Sequence, residues 1–407
     1  MPKLTDRRQV RNFIWLCTMV YFTSYISRIN LSATLVEVVN SGFAGKSTAA
    51  LALTLCAVTY GGGQVISGWL GDRFKPQNLI SLGFIITGCV NFLVGLLPDD
   101  TLLIPLWAIN GFAQSLMWPP LVAIMASNLD YADYEKACVR VSWGSSFGTI
   151  AIYLLAPVII RFLNIRWVFF LCADGALCML LFWRLKFDRS YTVPTPTGRQ
   201  ASQKTDTVPS IFRPKILLLM AAIFLSIVLQ GFLRDGVTSW TPSYISEIFH
   251  LSSSASILSG VILPLFSIVC FLLASVIHRR FFRNELLCSG VIFGAGCLAA
   301  ITLFLFDGTS MFLSLLCLAV LAGSMHGVNL IFLCIVPPYF AKHGHVSLVS
   351  GILNAGTYVG SAVSAYGTAL FSEHFGWKNT VLLWAAVAFL GTALCLILKK
   401  KWAAFKA

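Results

Sequence analysis

Two arginines stand where a chain seldom tolerates charge. Arg28 lies in "YISRINLSATL" (25–35) and Arg234 in "LRDGVTSW" (233–240), each inside a long apolar run. An arginine at the centre of a membrane helix costs about 2.5–3.5 kcal/mol, a cost accepted where the charge lines a wet cavity or meets a partner. A guanidinium fork binds phosphate or carboxylate through paired N–H donors and keeps its charge at any physiological pH. The chemistry on offer is therefore anion binding, and two such forks balance a dianion. Tyr21 and Tyr25 precede Arg28 by seven and three positions, which puts all three on one helix face. There the phenols either pack or donate hydrogen bonds to a phosphate or hydroxyl. The structural alternative is an ion pair with a buried acid, for which Asp174 and Asp235 are available. Asp235 adjoins Arg234, but successive helix positions diverge by roughly 100°, so the two are expected to face each other badly. Asp174, Asp235 and His326, in "GSMHGVNL", are also candidates for proton coupling or substrate contact.

The elements that position these groups are membrane helices. Of the 407 residues, 57% are apolar and 11% charged, with mean hydropathy +0.81; a soluble chain carries roughly a quarter of its residues as charges. Twelve apolar stretches follow one another: 13–39, 48–70, 79–97, 102–126, 139–163, 166–185, 216–249, 254–277, 286–306, 309–335, 346–371 and 379–398. The net charge of +13 does not indicate nucleic acid. With both termini cytoplasmic, only Lys46, Arg161, Arg166 and Lys378 lie on the far side, and only Arg28 and Arg234 within the membrane. Every other Lys and Arg, from Lys3 to Lys406, falls on the cytoplasmic side. The Lys399–Lys401 run reads as an anchor to anionic lipid headgroups. The first apolar segment is too long for a cleavable signal peptide. The twelve cysteines are scattered singly, as buried apolar residues are. There is no metal-ligand spacing, no nucleophile triad and, at "GGG" (61–63), no nucleotide loop, so neither an enzyme nor a bound cofactor or metal is expected. Those glycines instead permit close helix packing or bending. "WPP" (118–120) and "VPP" (336–338) are expected to break their helices.

A polar segment rich in Pro, Ser and Thr, 186–215, divides the chain into a six-helix bundle at 1–185 and another at 216–407. The halves match at a nearly constant offset. Arg28 falls 206 residues before Arg234, while Arg73, Phe74 and Leu79 fall 207 before Arg280, Phe281 and Leu286. Ser142 and Gly148 fall 208 before Ser350 and Gly356. Duplicated halves in transporters place a binding site at their interface, near the bilayer midplane.

"YFTSYISRINLSATL" resembles the first helix of organophosphate:phosphate antiporters of the major facilitator superfamily, with its Tyr-x3-Tyr-x2-Arg pattern. "LRDGVTSWTPSYISEI" (233–248) is similar to their seventh helix, "NGFAQSLMWPPLVAIM" (110–125) to their fourth, and "GTYVGSA" with "FGW" (356–362, 375–377) to the eleventh and its exit. "GDRFKPQN" is similar to the loop signature of the wider superfamily. The resemblance implies an all-α membrane protein of twelve transmembrane helices in two pseudo-symmetric six-helix bundles. It further implies alternating access and exchange of an organic phosphate for inorganic phosphate. On that pattern Arg28 and Arg234 bind phosphate, Tyr21, Tyr25, Tyr60 and Tyr358 line the pocket, and Asp72 and Arg73 form a cytoplasmic gating latch whose copy near His278 is weakened. Three positions depart from the family: Ile29 replaces a lysine found in some relatives, Gln64 the usual helix 2 lysine, and Phe147 a histidine of helix 5. The pocket keeps two charges and loses basic groups, which suits a monoanion, a phosphodiester or a bulkier phosphorylated compound. Gln64 within "GQVISGWLGDRF" (63–74) also resembles anion:cation symporters for organic acids, which lack the helix 7 arginine pattern. A proton-coupled organic-anion symporter and a non-transporting sugar-phosphate sensor are therefore the competing readings. A monomer in a bacterial inner membrane is expected.

Overall fold

The computed structural model describes residues 3–191, 214–249 and 262–406. Most of the expected linker at 186–215 and the start of the apolar stretch at 254–277 lie outside the described residues. Those described are helical, without strands. Eight of their helices are long and apolar enough to cross a membrane. The chain forms two compact units, Met1–Thr207 with Phe340–Ala355 and Val208–Tyr339 with Gly356–Ala407.

In the first unit α1 is Arg7–Ala33, α2 Leu35–Asn40, α3 Lys46–Arg73, α4 Pro76–Leu96, α5 Leu103–Ser115, α6 Trp118–Asn128, α7 Tyr131–Phe162 and α8 Ile165–Ser190. Their starts follow capping chemistry: Asp6, Asp130 and Asn164 accept backbone N–H groups of α1, α7 and α8, and Pro76 opens α4. The expected break at "WPP" is real: α5 stops at Ser115 and α6 restarts at Trp118, so this apolar stretch is two short helices. α1 packs on α7 and α8, α3 on α5, and α4 on α5 and α8.

In the second unit α9 is Pro214–Phe249, α10 Ile262–Arg280, α11 Glu285–Leu305 and α12 Met311–Leu330. Ahead of "VPP" the backbone loosens into a π turn, Ile331–Ile335, and then tightens into a 3-10 turn, Pro337–His343. The last helix, α13, runs Val346–Lys406. It begins in the first unit and is two helices joined at Gly376, whose φ of +74° is not helical and would strain a side chain.

Outward faces stay apolar: Leu154, Leu181, Leu298, Phe312 and Phe389 are more than half exposed on α7, α8, α11, α12 and α13. A water-soluble surface rarely shows such continuous apolar area, whereas lipid accepts it. Inside each unit the matched glycines do comparable work. A Cβ on Gly148 of α7 would press on the Phe22 carbonyl of α1 at 2.6 Å, and one on Gly356 of α13 would meet Ile227 of α9 at 2.8 Å. In both cases a small residue lets the arginine-bearing helix approach closely.

The second unit also locks the end of the chain. Glu285 is fully buried and accepts from Tyr339 Oη at 2.6 Å, Trp402 Nε1 at 2.6 Å and Lys406 Nζ at 2.8 Å, with His278 Nε2 at 3.5 Å. In the first unit the corresponding helix end docks without charge burial: Trp183 donates to the Gln77 carbonyl at 3.2 Å and Arg184 to Asn78 at 3.1 Å.

Candidate anion site

The Arg28 site is built by two stripes on α1. One carries Ser24, Ser27 and Asn30, all buried. Ser24 donates to Gln114 Oε1 at 2.6 Å, and Asn30 to Asn91 Oδ1 at 2.7 Å. The Ser27 carbonyl accepts from Asn110 at 3.1 Å and Asn91 at 3.3 Å. Where no water competes, these bonds tie α1 to α4 and α5 and fix its rotation. The sequence reading missed this stripe, although its spacing of three residues was visible.

The adjoining stripe is Tyr21, Tyr25 and Arg28. The guanidinium carbon of Arg28 lies 4.1 Å from the Tyr25 ring centroid and 4.3 Å from that of Tyr60 on α3. Tyr21 sets its edge on Tyr25 at 5.0 Å and leans on Trp118 at 4.8 Å. Aromatic faces attract a guanidinium through its plane and leave its in-plane N–H edges directed elsewhere. Arg28 thus lies against Tyr25 and Tyr60, and Tyr21 joins the group through Tyr25.

Arg234 on α9 is held differently, and here an expectation needs correction. Arg234 Nε donates to Asp235 Oδ1 at 2.6 Å and its terminal nitrogen to Oδ2 at 2.8 Å, a fork between adjacent residues. The helical angle alone argued against that pairing. The long arginine stem curls around the helix and cancels the divergence. Ser361 of α13 lies beside the same carboxylate, and His326 of α12 lies within electrostatic reach of both charges. His326 also meets the Phe271 ring edge-on at 5.4 Å. Gln230, four residues before Arg234, donates to the Met325 carbonyl at 2.9 Å and accepts from Asn329 at 3.4 Å. Tyr358 lies half-buried on α13 in the same unit.

The remaining candidates separate. Gln64 is fully buried, and its amide makes no hydrogen bond to the described residues. Phe147 is half exposed on α7, one residue before the glycine that faces α1. Asp174 is exposed on α8, where, among the described residues, its carboxylate accepts from the Cys178 thiol at 3.8 Å. Asp72 accepts from the Ser347 and Leu348 amides at 2.9 Å each, capping the first turn of α13. His345 lies 3.9 Å from that carboxylate, its proton affinity lowered by burial and by His343. Arg73 turns away from Asp72 and stacks on Trp69 at 3.9 Å.

Comparison with known proteins places these features. The sequence model described as Major Facilitator Superfamily matches residues 17–341. "Membrane sensor protein UhpC" of Salmonella typhimurium is 23% identical, covering 97% of this chain and 94% of that one. The glycerol-3-phosphate transporter of Bacillus subtilis is 25% identical, covering 70% and 68%. Among solved structures, the superfamily transporter FucP in its outward conformation aligns with TM-score 0.74 at 11% identity over 98% of this chain and 99% of that chain, a likeness of fold. The relatives agree with the arginine-centred motifs in resembling the organophosphate:phosphate antiporters. This chain is an integral membrane protein and belongs to the Major Facilitator Superfamily.

Proposed function

We propose that the protein is a secondary transporter that exchanges an anionic, phosphorylated organic solute for inorganic phosphate by alternating access. The observation that carries this reading is the Arg28 guanidinium between the Tyr25 and Tyr60 rings, 4.1 and 4.3 Å from their centroids. Such a mount places a permanently charged, planar fork against two ring faces inside an apolar helix, which suits a phosphate ligand. Arg234 is the second phosphate ligand, from the matching position of the other half. Tyr21, Tyr25, Tyr60, Tyr358, Gln64 and Phe147 read the rest of the solute. The buried Gln64 amide offers both a donor and an acceptor to it. Asp72 and Arg73 gate access through the first turn of α13 and the end of α3. The duplicated bundles 1–185 and 216–407, joined by 186–215, work as a monomer in a bacterial inner membrane with both termini in the cytoplasm.

A second reading is favoured by the near full-length match to a membrane sensor: binding without transport. Proteoliposomes loaded with radiolabelled phosphate separate the two. External phosphate should drive efflux without a proton gradient, and Arg28→Lys and Arg234→Lys should each reduce it. Phosphate binding without exchange would favour the sensor. Exchange that demands a proton gradient would favour an anion symporter using Asp235 or His326.

A further inference from the structure

Arg234 already holds an anion. The Asp235 carboxylate occupies its Nε edge through two charged hydrogen bonds, in the geometry a phosphate would adopt. Among the described residues, the titratable and polar groups near this pair include His326 from α12 and Ser361 from α13. The pair is only partly buried: the Arg234 and Asp235 side chains keep 15% and 30% exposure, and the two formal charges cancel. In the first half the position matching Asp235 is Ile29.

A substrate anion that engages Arg234 therefore meets the negative charge of Asp235 within a few ångströms. That repulsion grows in proportion to the substrate's charge, so a dianion suffers about twice the penalty of a monoanion. We infer that Asp235 is the specificity-determining residue of the anion site, selecting a phosphate group with one negative charge, a phosphodiester, over a dianionic phosphate monoester. This deepens the proposed function and rests on Arg234 being a phosphate ligand. Inorganic phosphate remains a compatible counter-substrate in its singly charged form.

The test uses the purified full chain and two small probes at about pH 8, well above the second phosphate pKa of about 6. Dimethyl phosphate is then a monoanion and methyl phosphate a dianion. Calorimetric titration gives a dissociation constant for each. Wild type should bind dimethyl phosphate more tightly, and Asp235→Asn should shift the ratio toward methyl phosphate by at least about tenfold. Asp235→Glu, which keeps the charge, should hold the wild-type ratio. Thermal melting monitors folding. If Asp235→Asn does not fold, Ser361→Ala, which loosens the carboxylate, should shift the ratio the same way by less. A ratio unchanged by these variants, with both probes still bound, overturns the role of Asp235 and leaves the anion site standing. Binding of neither probe to the folded wild type overturns the anion-site reading itself.

Discussion

Arg28 and Arg234 occupy matching positions of two sequence halves, yet different chemistry holds them. Each follows by four residues a side chain that ties its helix to a neighbour, Ser24 to Gln114 and Gln230 to the Met325 carbonyl. The framework is shared down to that register. Around Arg28 the guanidinium plane meets two tyrosine rings. Around Arg234 a carboxylate takes one edge of the fork. The difference shows that matching sequence positions are held by different neighbours, aromatic faces at one and a carboxylate at the other.

The most forceful way to break the comparison is to replace both forks. Arg28→Lys keeps a charge but loses planar stacking and the two-pronged edge, and should lower phosphate exchange about 100-fold. Arg234→Lys should lower it only about tenfold, because that charge is already balanced by Asp235. These factors correspond to charged hydrogen bonds of about 1.5–3 kcal/mol. Equal losses, measured as initial exchange rates in proteoliposomes, would show that the two arginines contribute alike. Next in size is the aromatic mount. Tyr60→Leu should weaken phosphate binding about 2- to 30-fold, the range of a cation–π contact of about 0.5–2 kcal/mol, whereas Tyr60→Phe should retain most of the affinity. If both variants lose the same amount, the phenol rather than the ring face is the working part. Smaller again is the framework. Asn91→Leu removes bonds to Asn30 and Ser27 and should destabilise the folded protein by about 0.6–1.7 kcal/mol. Asn329→Leu, whose bond to Gln230 is 3.4 Å long, should cost less. Unfolding in denaturing detergent reads both, and a reversed order would mean the second half relies more heavily on its polar ties.

Apolar periodicity and the rarity of intramembrane charge made much of this legible from the chain itself. The apolar stretches fall on helix wherever they are described, and "WPP" and "VPP" mark real interruptions because proline removes a backbone donor. The tyrosines at three and seven residues from Arg28 share its face because helical spacing requires it. What stayed hidden depends on side-chain reach or on partners far along the chain. Asp235 pairs with Arg234 through the flexible arginine stem, which an angle between Cβ directions does not capture. Ser24, Ser27 and Asn30 read as ordinary small polar residues until Gln114, Asn91 and Asn110 arrive from elsewhere in the sequence. Glu285 begins a helix, where acids are common, and nothing local announces that Trp402 and Lys406 will bury it.

The loops after each half's second helix extend the comparison to its smallest expected effect. In the first, Asp72 receives two amides of α13 at 2.9 Å, a carboxylate set against the positive end of a helix. In the second, the residue near the matching position is His278, which lies 3.5 Å from Glu285 of its own unit and so serves the buried socket rather than a helix start. Asp72→Asn keeps an acceptor but removes the charge, and a carboxylate at a helix N-terminus is worth about 0.3–1 kcal/mol. Exchange should therefore change about two- to fivefold, with phosphate affinity unaltered, because Asp72 touches the first turn of α13 and not the arginine stripes. His278→Gln should leave exchange unchanged and lower only the melting temperature. A loss of phosphate affinity in Asp72→Asn would place that carboxylate in the binding site instead of the gate. A transport defect in His278→Gln would mean that the second loop has kept a gating role despite losing its acid.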